Sequence, residues 1–194
     1  MAFCLLWLCG TTAHGTFEFE DVAPESKFYL PVDWAVDEEI TNGTSSTTFS
    51  PGTPCRKKHI LTFLWRATGK KRVTGQFPYD DVSPESDFGL AAHWAYCEGL
   101  DHGNGRGSYK GELNCTRAMA VTYLWLLSGR PAADLSLIDR FVDVFPSNDY
   151  AKAVAWAVET GITNGLDDTH FSPDTDCTRG QIVTFLYRYF NNGN

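Results

Sequence analysis

Toward the C-terminus, apolar residues recur at helical spacing in two stretches separated by a run of turn formers. Tyr150, Ala153, Val154, Ala157 and Val158 follow the i, i+3, i+4, i+7, i+8 pattern of one helix face, and Gly161 stands where a left-handed residue would end that helix. Ile182, Phe185, Leu186, Tyr189 and Phe190 repeat the pattern in a second stretch that opens "CTRGQ". There Thr178 can cap free backbone N–H groups, and Gln181 can reach back to complete a capping box. The intervening "NGLDDTHFSPD" is dense in turn residues, and Phe171 is its one large apolar side chain able to reach a core. The spacing predicts helix, loop, helix.

The same pattern occurs three times. Segments beginning "FEDVAPESKFYLPVDWAV", "YDDVSPESDFGLAAHWAY" and "FVDVFPSNDYAKAVAWAV" align without a gap through the second helix of each. Asp21, Asp81 and Asp143 correspond, as do Trp34, Trp94 and Trp156, then Gly43, Gly103 and Gly165, then Phe49, Tyr109 and Phe171, then Cys55, Cys115 and Cys177. One helical hairpin of about fifty residues buries too little apolar surface to fold well alone, so the units should pack on one another. The expectation is an all-α fold in which three repeats, at 17–69, 77–129 and 139–192, form one pseudo-threefold domain.

Composition narrows the function classes. The 194 residues are 43% hydrophobic and carry a formal net charge of −8, which disfavours non-specific binding to nucleic acid or anionic lipid. No apolar run approaches the roughly 18 to 20 residues that span a bilayer, so no membrane insertion is expected. An acidic ligand must be met by local basic groups.

The aligned motifs resemble the S-layer homology family, whose repeats carry an F-x-D-V start, a first helix ending in G-I-T-x-G, an F-x-P loop and a T-R-A-[EQ] start to the second helix. Here these stand as "FVDV", "GITNG", "FSPD" and "CTRGQ" in the third unit, and as "YDDV" and "CTRAM" in the second. The resemblance implies a spindle of three repeats that binds secondary cell-wall polysaccharide, often pyruvylated, and holds surface proteins on the bacterial envelope without a covalent bond. It places the ligand in grooves between repeats, where the T-R-A-E arginine meets an acidic and aromatic pair near a neighbouring first helix. Carried over by position, the basic residues are Lys57, Arg117 and Arg179, and the pairs are Asp87 with Phe88 and Asp149 with Tyr150, against Lys27 with Phe28 in the first unit.

Such a site has a physical rationale. A guanidinium at a helix start presents planar donors to a carboxylate, free amides of the first turn add positive potential, and aromatic rings can stack on sugars. The first unit departs from the pattern: "CRKK" replaces the capping Thr by Arg56 and the Arg by Lys57, Glu39 stands where Gly99 and Gly161 end their helices, and Pro31 should delay the first helix. The groove of Lys57 is therefore expected to be weak or silent, and the groove joining Arg117 to Asp149 and Tyr150 the best preserved.

Other residues read as structural. Trp34, Trp65, Trp94, Trp125 and Trp156 occupy equivalent apolar positions and are expected in the core. Three equivalent cysteines around a pseudo-threefold axis cannot all pair, so Cys55, Cys115 and Cys177 read as small, partly buried residues. His93 with Cys97 and Cys55 with His59 have the i, i+4 spacing of two metal ligands but lack a third and fourth, and "LDDT" lacks the alternating oxygen ligands of a calcium loop. No metal and no cofactor are expected. G-x-S-x-G, H-E-x-x-H and P-loop motifs are absent, and Asp80 and Asp81 read as a solvated turn, so an enzyme is not expected. The alternatives are a protein-binding scaffold or adhesion module and, behind it, a glycan-active enzyme.

The opening "MAFCLLWLCG" resembles a signal peptide but has no Lys or Arg before its apolar run. It matches "MAVTYLWLLSG" at 119–129, and 1–10 is expected to be the second helix of a truncated repeat, making the chain a piece of a longer array. The expected setting is the cell wall, with any cargo domain outside this chain.

Overall fold

A computed structural model describes residues 19–192; the segment 1–10 lies outside them. Six helices follow in order: α1 (Tyr29–Asp37), α2 (Lys57–Ala67), α3 (Asp87–Cys97), α4 (Arg117–Leu127), α5 (Ala151–Glu159) and α6 (Arg179–Asn191), with a 3-10 turn at Leu135–Ile138. Among the described residues there is no sheet, and the fold is all-α. The second helix of each aligned segment packs on the first helix of the next: α2 on α3, α4 on α5, and α6 back on α1. The chain thereby closes on itself.

Three backbone hydrogen bonds join the segments where they meet. The Cys55 amide donates to the Cys177 carbonyl at 2.7 Å, Cys115 to Cys55 at 2.8 Å, and Cys177 to Cys115 at 2.8 Å, a closed ring. All three side chains are fully buried, which raises the Cys55 and Cys177 thiols to about 12 despite an arginine near each. A larger side chain at any of them would push the ring apart. Isolated antiparallel bridges flank it, pairing Pro54 with Thr178, Arg56 with Asn114 and Thr116 with Asp176.

Each loop is clamped by the aspartate that opens its segment. Asp21 accepts from the Phe49 and Ser50 amides at 2.8 and 2.7 Å, Asp81 from Tyr109 and Lys110 at 2.6 and 3.0 Å, and Asp143 from Phe171 and Ser172 at 2.9 and 2.7 Å. The clamp seats Phe49, Tyr109 and Phe171 in the core, where each large side chain contributes about 2 kcal/mol of apolar burial. It also holds Ser50, Lys110 and Ser172 at φ near +60°, a conformation that a non-glycine residue keeps only when its surroundings enforce it. Asp81 is thus a loop clamp and not the freely solvated turn expected of it.

Local chemistry explains the helix ends. Thr178 and Gln181 form the capping box, and Thr116 caps α4 through the Met119 amide. Arg56 cannot do this for α2, which has no side-chain cap. Glu39 adopts φ +54°, where Gly99 and Gly161 have +69° and +72°. The helix α1 does begin two residues later than α3 relative to the alignment, but so does α5, which has no proline. In α3 the Ser86 hydroxyl accepts from the Gly89 amide and caps the earlier start, whereas the equivalent Ser26 accepts from the Phe28 amide and α1 has no such cap. Trp65, Trp94 and Trp156 are buried, whereas Trp34 and Trp125 are only partly so. Phe190 is 36% exposed rather than buried, and it stacks on Trp34 at the α1 and α6 edge with ring centroids 5.9 Å apart.

Candidate functional site

Lys57, Arg117 and Arg179 are the first residues of α2, α4 and α6, and all three are buried, at 4, 3 and 5% exposure. Their environments correspond. Arg117 Cζ lies 5.0 Å from the Phe171 ring centre, Arg179 Cζ 4.8 Å from Phe49, and Lys57 Nζ 4.6 Å from Tyr109. Arg117 Nε donates to the Phe171 carbonyl at 2.8 Å and Arg179 Nε to the Phe49 carbonyl at 3.0 Å, which fixes each guanidinium by one edge. Burial lowers the pKa of both arginines.

The first-turn amides are not available to a ligand, contrary to expectation. Arg179 and Gly180 donate to the Thr53 and Pro51 carbonyls, Arg117 and Ala118 to Thr175 and Pro173, and Lys57 and Lys58 to Leu113 and Gly111. The neighbouring segment's loop consumes them, so binding capacity rests on side chains.

Arg179 opens into a cleft of about 430 Å³ between α2 and the start of α3, lined among others by Thr41, Gly43, His59, Arg66 and Phe88. Its Nη2 is buried with no protein partner, as is His59 Nδ1. Burial comes first, and the positive charges of Arg179, Lys58 and Arg56 follow, in lowering His59 to about 4, against the pull of Glu112. Phe88 packs edge-on to His59 with centroids 5.8 Å apart. Asp87 meets Arg66, not Arg179: Arg66 Nη2 donates to Asp87 Oδ2 at 2.6 Å while its Nη1 holds the Ile40 carbonyl at 3.0 Å.

The partner expected for Arg117 is corrected. Its cleft, of about 290 Å³, is shared with Lys27 and Phe28 at the start of α1 and with Gln181 and Arg188 of α6, not with Asp149 and Tyr150. Tyr150 instead lines a shallow recess with Asp143, Pro173 and Asp174, and Asp149 is exposed. Because α6 closes on α1, the Arg117 cleft receives the first unit's pair. Phe28 lies over the first turn of α6, where a Cβ on Gly180 would stand 2.9 Å from its ring, so that position is open only to glycine in this packing.

Lys57 is already occupied. Its Nζ donates to Asp101 Oδ1 at 3.0 Å, Tyr123 donates its hydroxyl to Asp101 Oδ2 at 2.5 Å, and the Gly103 amide adds 2.7 Å to Oδ1. Asp101 corresponds to Thr41 and Thr163, which line the clefts of Arg179 and Arg117.

Arg66 and Arg188 were missed among the sequence candidates. They correspond by alignment, nine residues after Lys57 and Arg179, with Leu126 between them in the second segment, and that recurrence was the available signal. Among the described residues no group of three or more His, Cys, Asp or Glu could hold a metal ion, and no helix is long and apolar enough to cross a membrane.

These clefts lie at junctions between helical hairpins, and the S-layer homology domain family matches the chain at residues 18–58 and 140–183. The chain carries S-layer homology sequence at both places. S-layer homology domains are non-catalytic modules that anchor cell-surface proteins to cell-wall polymers. An endoglucanase of Bacillus sp. (strain KSM-635) is 27% identical over 191 residues, covering 89% of this chain. The chain spans 19% of that protein's length.

Proposed function

We propose that this chain is a wall-anchoring module that binds an anionic secondary cell-wall polysaccharide in the clefts of Arg179 and Arg117, while Lys57 binds none. The reading takes 77–129 as a repeat of the same kind as 17–69 and 139–192. One observation carries it: the Arg179 guanidinium lines a cleft, is buried and fixed by one edge, and keeps a buried nitrogen, Nη2, with no protein partner. An unpaired buried donor on a charged group is costly, and a ligand carboxylate would remove that cost with a strong charge-assisted bond. Phe88 and Phe28 supply ring faces for sugars at the Arg179 and Arg117 clefts, and Asp87 orients Arg66. Tyr150 and Asp149 line neither of these two clefts and contribute little.

Co-sedimentation with purified wall sacculi tests this. Arg117→Gln with Arg179→Gln should abolish sedimentation while the melting transition is retained, and Lys57→Met combined with Asp101→Thr, which leaves neither charge unpaired, should leave sedimentation near wild type. Binding of neutralised polymer as tight as that of native polymer would refute the mechanism. The endoglucanase relative supports a second, lesser reading, in which the chain accompanies or performs glycan cleavage. Released reducing sugar on incubation with wall polymer would establish it.

A further inference from the structure

The surroundings of Lys57, Arg117 and Arg179 differ in unpaired positive charge. At Lys57 the cation is neutralised by Asp101. In the Arg179 cleft, Arg66 is paired with Asp87 and Arg56 with Glu112, which leaves Arg179 as the cation without an acidic partner among the described residues. The Arg117 cleft is lined by Lys27, Arg117 and Arg188 and, among the described residues, by no carboxylate. None of those three makes an ion pair with a described residue, although the whole chain carries a net charge of −8.

The difference follows from one position. Lys27 stands where Asp87 stands at the Arg179 cleft. Arg188 is held like Arg66, donating Nη1 to the Ile162 carbonyl at 2.9 Å as Arg66 does to Ile40, but it meets no acid. Three like charges around one cleft raise its potential, and the gain on admitting a second negative charge is larger there than at a cleft with one free cation. Thr163, Asn164, Gln181 and Thr184 add neutral polar groups around the same space.

We propose that the Arg117 cleft is a receptor for a doubly charged oxyanion, a phosphomonoester or its equivalent, whereas the Arg179 cleft takes a single carboxylate. This rests on the anchoring reading for its biological setting but not for its test. On this assignment one module reads two different acidic groups, and Lys27 sets the difference.

The probes are sulfate, inorganic phosphate and acetate, titrated at pH 8 and constant ionic strength against the full chain, with guanidinium signals followed by NMR. Sulfate and phosphate should perturb Arg117 and Arg188 and bind there at least about tenfold tighter than acetate. Lys27→Asp, at an exposed position, should remove that preference by supplying Arg188 with the carboxylate that Arg66 has; Lys27→Met should reduce it. Equal responses at Arg117 and Arg179, or an unchanged preference in Lys27→Asp, would overturn the proposal. Sacculi treated with phosphatase distinguish the sources: loss of the Lys27-dependent part of binding assigns the dianion to the wall, and its retention together with tight phosphate binding assigns it to the free ion. Failure of the wild type to bind any sacculi would defeat the anchoring reading alone, since the ion titration stands without it.

Discussion

Asp101 holds Lys57 at 3.0 Å, and at the equivalent position the clefts of Arg179 and Arg117 have a threonine, Thr41 and Thr163. Both partners are largely buried, at 5 and 11% side-chain exposure, and Tyr123 and Gly103 complete the carboxylate's hydrogen bonds. On the proposed reading the carboxylate stands in for an acidic ligand, so Lys57 binds none.

Asp101→Thr should destabilise the chain by about 3 kcal/mol, because it leaves a buried ammonium unpaired. Adding Lys57→Met should recover most of that loss. In the single variant, acetate should raise the melting temperature more than it does in the wild type, and an equal rise in both would show that the cleft does not open.

Glu39→Gly should stabilise the chain by roughly 1 kcal/mol. The residue sits at φ +54°, and its pair with Lys70, at 3.5 Å with both side chains at least half exposed, contributes little. Thermal melts of the two proteins measure this, and an unchanged or lower transition would mean that the left-handed strain is negligible here.

Acid should loosen the loop at Tyr109. Burial tends to raise the Asp81 carboxyl, but the Ser108 hydroxyl and the Lys110 and Tyr109 amides outweigh it and hold it at about 2. A carboxyl held below its unfolded value of about 4 gives stability that is present above that pH and lost as pH falls toward 2. Hydrogen exchange at the Tyr109 and Lys110 amides should accelerate in that window relative to the rest of the core. Asp81→Ala should expose the same amides at neutral pH, at a cost of about 1 to 3 kcal/mol.

His59 should make stability fall at milder acidity. With its pKa near 4 in the fold and about 6.5 when unfolded, the unfolded chain takes up the proton first, so stability is lost as pH drops from about 6.5 to 4. His59→Gln places at α2 the residue that completes the capping box at α6, and its melting temperature should vary less across that range. An unchanged pH profile would mean that other groups carry the acid response.

The sequence alone determined the local structure, because the contacts behind it lie within a few residues or recur at fixed spacing. Helical stripes, the Thr178 capping box and the left-handed positions after the first helices were legible for that reason. So were the basic residues at the helix starts. What the alignment could not order was which first helix meets which basic residue, since equivalent positions are interchangeable on paper. Only the closure of α6 on α1 assigned Lys27 to Arg117, and only folding brought Arg179 to the Phe49 carbonyl, 130 positions away. The charge of each cleft is a sum over three segments of the chain. Asp101 and Lys27 acquire their meaning from neighbours distant in sequence, and tertiary packing alone decides who those neighbours are.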